Sequence, residues 1–282
     1  MLLRVLRPLL GPVAHVFRPQ KQNCQKIFIS LLCVICLAIP LACAGNYVYV
    51  ANSGDSTVSV MNTETNKVVK TIALPGGSNC QYLTLNPIGD YLYVSCYDTN
   101  AVVVIDTTTN TVVSTISGEF NGPLCIAFSP DGAFSYVSNN GSDTISVINT
   151  NTLSVIASIN VGQWPVGIVV TPDGRYLYVA NNFSSSVTVV ETSNNAVIGT
   201  IEVGTNPFGV VITPDGRYVY VANLTTNNVS VIDTFNNLVT ATIDVGYYPR
   251  YPSINTDGSL IYIPNSGSQN ISVIDTTSNT VT

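Results

Sequence analysis

One four-residue pattern occurs six times in the chain: tyrosine, an aliphatic residue, a small residue or proline, and usually asparagine. Successive copies begin 44, 43, 42, 42 and 42 residues apart. A period near 42 residues constrains the fold strongly, because each unit has to bury its apolar faces against its neighbours. The six copies are Tyr49-Val50-Ala51-Asn52, Tyr93-Val94-Ser95-Cys96, Tyr136-Val137-Ser138-Asn139, Tyr178-Val179-Ala180-Asn181, Tyr220-Val221-Ala222-Asn223 and Tyr262-Ile263-Pro264-Asn265.

Each repeat contains segments in which apolar and polar residues alternate and β-branched residues are frequent, as is typical of β-strands. In one repeat they are residues 167–170, 176–181, 187–190 and 196–201. Asp173-Gly174 separates the first two, and Asp-Gly between such segments favours a hairpin because glycine adopts a positive φ without steric cost. We therefore predict an all-β fold, a β-propeller of about six four-stranded antiparallel blades or a truncated seven-bladed ring.

The repeat resembles a known family in four places: Tyr220-Val221-Ala222-Asn223, Ser230-Val231-Ile232-Asp233-Thr234, Val245-Gly246 and Pro214-Asp215-Gly216-Arg217-Tyr218. It is similar to the YVTN-type β-propeller repeat over essentially all of residues 45–282. The resemblance implies a seven-bladed ring in an exported or surface-layer-like protein. This chain departs from that pattern, since residues 45–282 hold fewer than six full repeats and leave the C-terminal blade incomplete. It is either a fragment or a ring that closes unconventionally.

The segment that precedes the repeats, residues 1–44, has the pattern of a signal peptide. Basic residues precede an apolar run at 27–42, and Ala42-Cys43-Ala44 reads as a cleavage site. Cleavage there would leave residues 45–282 as the mature propeller domain. In a second interpretation the leader is retained and residues 37–44 form the first inner strand.

The charge distribution excludes one class of partner. The chain has 10 Lys and Arg against 16 Asp and Glu, and five of the basic residues lie in the leader. The repeats therefore carry a net charge of −11, whereas nucleic-acid binding requires clustered positive charge. We predict no nucleic-acid partner and no membrane span in the mature chain.

The segments that lead into each inner strand differ most between repeats. They should gather around one mouth of the central channel, where aromatic residues with a few polar groups suit a ligand site. A second interpretation is that these side chains only fill the channel. The predicted ligand-binding residues are Gln81, Tyr82, Trp164, Phe208, Tyr247, Tyr248, Arg250 and Tyr251.

Two cysteines replace repeat residues within a single unit. Cys80 stands where other repeats have proline, and Cys96 stands where they have asparagine. The hairpin between them sets the two positions nearly opposite each other, so we predict a Cys80–Cys96 disulfide and an oxidising compartment. Cys125 is left as a free thiol and is predicted to be a small buried residue. In the alternative, Cys125 takes the place of Cys80 in the disulfide.

No catalytic or metal-binding constellation emerges from the sequence. The only histidine, His15, lies in the leader, and the aspartates are spread singly over turns. We therefore predict no catalytic residues, no cofactor and no metal.

The sequence leaves three functional hypotheses. The first is a secreted, periplasmic or cell-surface propeller that binds a protein, peptide or glycan of the cell envelope without catalysis. The second is a propeller enzyme of lactonase-like or quinoprotein dehydrogenase-like type. The third is a fragment of a longer surface repeat protein.

Overall fold

A computed structural model describes residues 16–17, 47–76 and 79–282 of the chain. These residues form strands and turns, with no helix among them, and the strands make six four-stranded antiparallel sheets. We call the sheets blades 1 to 6 in chain order. The predicted all-β fold of about six four-stranded blades is confirmed.

The strands of blades 1 to 3 have the following bounds: β1 Val16–Phe17, β2 Tyr47–Asn52, β3 Thr57–Asn62, β4 Lys67–Ala73; β5 Cys80–Leu85, β6 Tyr91–Cys96, β7 Ala101–Asp106, β8 Thr111–Ser117; β9 Pro123–Phe128, β10 Phe134–Asn139, β11 Thr144–Asn149, β12 Ser154–Asn160. Those of blades 4 to 6 are β13 Pro165–Val170, β14 Tyr176–Asn181, β15 Ser186–Glu191, β16 Ala196–Glu202; β17 Pro207–Ile212, β18 Tyr218–Asn223, β19 Asn228–Asp233, β20 Leu238–Asp244; β21 Ser253–Ile254, β22 Leu260–Asn265, β23 Asn270–Asp275, β24 Thr280–Val281.

The first strand of each blade lies at the centre of the arrangement. Each first strand contacts the first strand of the next blade, from β1 to β21 in sequence. The Tyr82 ring in blade 2 also lies 5.9 Å from the Tyr251 ring, in the segment that enters blade 6. Because residues so far apart in sequence meet, the blades are arranged around a common centre as in a propeller.

The innermost position of blade 1 is occupied by Val16–Phe17, which pairs with Val50 and Tyr49 of β2. This strand comes from the segment that the sequence predicts as a leader. Residues 37–44, the alternative candidates for this position, lie outside the described residues. Within the described part of the chain, no helix is long and apolar enough to cross a membrane.

The Asp-Gly turns form as their chemistry predicts. Gly174 has φ +75° and its amide donates to the carbonyl of Thr171 at 2.8 Å. A Cβ at Gly174 would lie 3.2 Å from Pro130 of the preceding blade. Glycine is therefore required here both by the left-handed backbone and by the close approach of the neighbouring blade.

Apolar residues between successive blades form the core. On each of blades 1 to 5, the motif tyrosine and residues of the third and fourth strands make a forward face, which packs on the rear face of the next blade. The forward sets are Tyr49, Val58, Val60 and Ile72; Tyr93, Val102, Val104 and Ile116; Tyr136, Ile145, Val147 and Ile159; Tyr178, Val187, Val189 and Ile201; Tyr220, Val229, Val231 and Ile243.

The motif asparagine joins the second and third strands of its blade. Asn181 donates through its amide nitrogen to Ser186 at 3.2 Å and to Thr188 at 2.8 Å. Asn139 makes the same pair of bonds to Thr144 and Ser146. Its role is structural, and it acts by cross-linking two strands.

Candidate functional site

One face of the propeller is built from two kinds of loop, which we call together the junction face. The segment that leads into each inner strand lies beside the hairpin that joins the second and third strands of the same blade. In blade 4 the Asn182 amide donates to the Trp164 carbonyl at 2.9 Å, and the Phe183 amide donates to the Gln163 carbonyl at 3.2 Å. Because these are backbone bonds, each leading segment is held in place by its hairpin.

Trp164 and Phe183 form a stacked pair on the junction face. Their ring centroids are 4.0 Å apart with an interplanar angle of 18°. Trp164 is 42% exposed and Phe183 is 56% exposed. The Trp164 backbone adopts φ 55°, and its amide donates to Asp143 of the preceding blade at 2.9 Å. This hydrogen bond stabilises a left-handed conformation that a bulky residue rarely adopts, and the indole is thereby presented to solvent.

Tyr247 and Tyr248 form a second exposed aromatic group, in blade 6. They are 65% and 53% exposed, respectively. Tyr248 has φ 54°, and its amide donates to Asn227 of the preceding blade at 2.9 Å. Both tyrosines lie against Gly267, where a Cβ would come within 2.6 Å of the Tyr248 ring and 2.9 Å of the Tyr247 Cβ.

Three aromatic rings fill the centre of the propeller. The Tyr251 ring lies 5.0 Å from the Phe208 ring, edge on, and 5.9 Å from the Tyr82 ring. Tyr251 is 8% exposed. Since these residues come from blades 2, 5 and 6, their contacts cross the centre of the propeller.

A buried thiol lies in the same central cluster. Cys125, on the inner strand of blade 3, hydrogen-bonds with the hydroxyl groups of Tyr251 and Tyr82. Burial raises the pKa of Cys125 to about 12, although the two hydroxyl groups oppose that shift. Burial also raises the pKa values of Tyr82 and Tyr251 well above the usual value for tyrosine. All three groups are therefore neutral at pH 7.

Arg250 lies against the central cluster, and Gln81 precedes Tyr82 on the inner strand of blade 2. The Arg250 guanidinium lies over the Phe208 ring, 5.2 Å from its centroid, and its Nε donates to Ser266 Oγ at 3.2 Å. Gln81 is half-buried, and its side-chain amide donates to the side-chain oxygen of Asn79. Both side chains are therefore held by neighbours within the fold.

The structure thus separates seven of the eight predicted ligand-binding residues into two groups, while the eighth, Gln81, is bonded to Asn79. Tyr82, Phe208 and Tyr251 contact one another at the centre, with Arg250 against Phe208. Trp164 packs on Phe183 instead, and Tyr247 and Tyr248 pack against Gly267. The contacts bring together the first group, while the exposed aromatic residues lie on separate blades.

Phe183 is the residue that sequence reasoning missed. It occupies the second position after the motif asparagine, where three sibling repeats have Gly54, Gly141 and Gly267. That departure from the repeat was a usable signal.

The predicted disulfide between Cys80 and Cys96 is confirmed. The two residues are direct partners on β5 and β6, with their Cα atoms 3.9 Å apart. Both are buried. Cys125 is a free buried thiol, so it does not take the place of Cys80 in the disulfide.

Most aspartates of the described residues are engaged in turns. Asp173 accepts from the Thr171 hydroxyl at 2.5 Å and from the Arg175 amide at 3.0 Å, and these bonds lower its pKa, the hydroxyl most strongly. Asp215 is bound in the same way by Thr213 and Arg217, with the same direction of shift. Among the described residues, no group of three or more His, Cys, Asp or Glu is placed to hold a metal ion.

Six four-stranded sheets around a filled centre define a β-propeller. A sequence model for the family described as "Lactonase, 7-bladed beta-propeller" matches residues 107–201 and again residues 197–282. These matches span more than half of the chain, which therefore belongs to this family. No curated protein matches the chain.

Among solved structures, the chain is similar to hydrazine synthase from Kuenenia stuttgartiensis. The match has a TM-score of 0.74 and 23% sequence identity, and it covers 82% of this chain and 81% of that chain. At this level of identity the similarity supports the propeller fold alone.

Proposed function

We propose that this protein is an exported or cell-surface propeller that binds a protein, peptide or glycan of the cell envelope through its junction face. The observation that carries the proposal is the exposed stack of Trp164 and Phe183. A rigid, half-exposed aromatic pair provides contact area at little cost in side-chain entropy, and such residues dominate binding energy at interfaces. The adjacent Gln163, Asp143 and Ser184 supply polar groups at its edge.

Export is supported by three further features. The Cys80–Cys96 disulfide is of the kind that persists in oxidising compartments. The leader carries the charge and hydropathy pattern of a signal peptide, and the repeats resemble the YVTN type found in exported proteins.

A non-catalytic role is supported by the chemistry of the central cluster. General base catalysis near neutral pH requires a group whose pKa lies close to that pH. The pKa values of Tyr82, Cys125 and Tyr251 are all raised away from neutrality by burial. These groups are suited to packing and hydrogen bonding within the propeller centre.

The experiment is a binding screen of the full chain against envelope glycans and peptides, followed by calorimetry on each candidate. We expect Trp164→Ala and Phe183→Ala to weaken binding at least about tenfold. The matched control is Phe235→Ala, because Phe235 is 87% exposed at a turn at the opposite end of the strands and should leave affinity unchanged. Equal loss in all three variants, or no saturable binding, would contradict the proposal.

The family match favours a second candidate function, the hydrolysis of a lactone. Hydrolysis would place the ring-opening chemistry at the propeller centre, where Tyr251 and Arg250 both lie against the Phe208 ring. The test is turnover of a panel of lactones by the full chain and by Tyr251→Phe. Turnover that this variant abolishes, in a protein that still unfolds cooperatively, would replace the binding proposal.

A further inference from the structure

One position of the junction face has a left-handed backbone in each of blades 2 to 6. It is the last residue before the proline of the leading segment, or its equivalent in blade 2, and its φ lies between 54° and 64° in all five blades. Asn79, Gly122 and Asn206 are of residue types that tolerate this conformation. Trp164 and Tyr248 are not, because a bulky side chain at positive φ is sterically disfavoured. A disfavoured conformation kept at two exposed aromatic residues indicates a functional constraint.

Trp164 and Tyr248 are equivalent residues, two repeats apart in the sequence. Each ring lies beside the second residue of the hairpin in its own blade: the Trp164 ring stacks on Phe183, and the Tyr248 ring lies against Gly267. Each backbone amide donates at 2.9 Å to a side-chain oxygen of the preceding blade. Blades 4 and 6 therefore hold an exposed aromatic ring in the same local frame.

Blade 5 lies between these two rings and is polar at the same positions. Its inner strand contacts the inner strands of blades 4 and 6. Asn206 takes the place of the aromatic residue, and its side-chain oxygen accepts from the Thr225 hydroxyl at 2.7 Å. Its side-chain nitrogen donates to Asn182 of blade 4 at 3.2 Å. The surface across blades 4 to 6 thus presents a ring, then amide and hydroxyl groups, then a second ring.

The loops that build this surface carry no charged residue. They are the leading segments 161–164, 203–206 and 245–248 and the hairpins 182–185, 224–227 and 266–269. The corresponding hairpins of blades 1 to 3 each contain an aspartate, namely Asp55, Asp98 and Asp143. Asp143 and Arg250 border the surface, and both are hydrogen-bonded within the fold. The surface across blades 4 to 6 is therefore suited to an uncharged ligand.

We propose that this surface binds an uncharged linear glycan, with one sugar on the Trp164–Phe183 stack and another on the Tyr248 ring. The inference rests on the proposed function and narrows its partner to one class. A sugar has C–H groups on its faces, which suit aromatic rings, and hydroxyl groups at its edges, which suit Asn206 and Thr225. A repeating chain also suits two equivalent positions, because it can contact both at once.

A protein partner fits this surface less well. Protein interfaces concentrate their binding energy in a contiguous apolar centre that is surrounded by a polar rim. Here the order is reversed, because the polar Asn206 and Thr225 lie between the two aromatic groups. The alternation of rings and hydroxyl groups corresponds instead to the alternation of faces and edges along a glycan.

The first experiment measures binding of neutral oligosaccharides to the full chain. The probes are oligomers of glucose, mannose and N-acetylglucosamine with two and with six units, and Trp164 reports binding by fluorescence because it is the only tryptophan in the chain. We expect one hexamer to bind at least about tenfold more tightly than its dimer, because only the longer chain contacts both rings. A hexamer of galacturonic acid, which is charged, should bind at least about tenfold more weakly than the neutral hexamer. Equal affinity for dimer and hexamer, or for the charged and neutral chains, would overturn the inference.

Two variants remove the rings without disturbing the turns. Trp164→Asn and Tyr248→Asn introduce the residue that Asn79 and Asn206 place at this position, so both should unfold at a midpoint close to that of the natural chain. By calorimetry, each should bind the neutral hexamer at least about tenfold more weakly, whereas Phe235→Ala should leave its affinity unchanged. Tyr248→Asn should also preserve the fluorescence response to the dimer, which needs only the Trp164 ring. Unchanged affinity of Tyr248→Asn for the hexamer would contradict the second sugar position.

The outcomes separate this inference from the function on which it rests. A peptide or protein that binds the natural chain, that Trp164→Asn releases, and that is the only ligand found would overturn the glycan assignment and leave the junction face as a binding surface. Failure of oligosaccharides, peptides and proteins alike to bind would overturn both.

Discussion

The hydroxyl of Tyr178 in blade 4 donates to Asn237 Oδ1 in blade 5, with an oxygen-to-oxygen distance of 2.6 Å. The Tyr178 ring is fully buried between the two blades. Burial raises its pKa well above the usual value for tyrosine, so the hydroxyl remains a donor at every physiological pH. One side chain therefore provides both apolar packing and a polar link across the interface.

We expect Tyr178→Phe to lower the free energy of unfolding by about 1–2 kcal/mol, because it leaves the Asn237 oxygen without a donor. Tyr136→Phe is the matched control, since Tyr136 is equally buried but Asn195 Oδ1, at the corresponding position, has no hydrogen-bond partner. That control should change stability little. Chemical denaturation of both variants measures the difference, and equal losses would show that the hydrogen bond contributes nothing.

The disulfide should contribute measurably to stability. Removing both cysteines as Cys80→Ala with Cys96→Ala should lower the free energy of unfolding by about 2–4 kcal/mol, mainly by freeing the unfolded chain. A reducing agent should lower the unfolding midpoint of the natural chain and of Cys125→Ala but not that of the double variant. Insensitivity of the natural chain to the reductant would contradict this assignment.

The Cys125 thiol should react slowly while the protein is folded. Thiolate is the reactive form, and burial raises the pKa of Cys125 to about 12, so little thiolate forms at pH 8. Alkylation by iodoacetamide, followed by mass spectrometry on the peptide that contains Cys125, should be roughly a hundredfold slower in the native protein than in denaturant. Rapid labelling of the native protein would show that the propeller centre is open to solvent.

The turn aspartates predict a loss of stability in acid. The pKa of Asp173 is lowered, chiefly by the Thr171 hydroxyl, and that of Asp131 is lowered chiefly by the Ser129 hydroxyl. A carboxyl group with a lowered folded-state pKa contributes stability above its unfolded pKa of about 3.9, and that contribution is lost as the pH falls through the folded value. The free energy of unfolding should therefore fall steeply only below about pH 4.

A pair of substitutions tests the cause of this shift. Thr171→Ala should move the Asp173 pKa upward toward its ordinary value, because the hydroxyl donor is removed. Thr171→Ser keeps the donor and should preserve the lowered pKa. Titration by nuclear magnetic resonance measures both variants, and identical titration curves would exclude the hydroxyl as the cause.

The pairing of neighbouring residues in the candidate site was predictable from sequence. Which of its side chains are exposed and which are buried was not. Cys80 and Cys96 could be paired from sequence because a hairpin of known type places them opposite each other. Tyr248 and Tyr251 are close in sequence, yet one is exposed and the other is buried at the centre. The chain turns at Tyr248, where φ is 54°, and the repeat pattern does not encode where each side chain points after that turn.

The repeats alone determined the number of strands in each blade, the turns between them and the apolar faces, because turn chemistry and side-chain alternation act over a few residues. Tertiary structure decided which residues meet across the blades. Tyr82 and Tyr251 contact each other although four repeats separate them in the sequence, and Trp164 stacks on Phe183 from a neighbouring loop. Such contacts depend on the curvature that accumulates from every interface between blades, and no local segment of sequence contains that information.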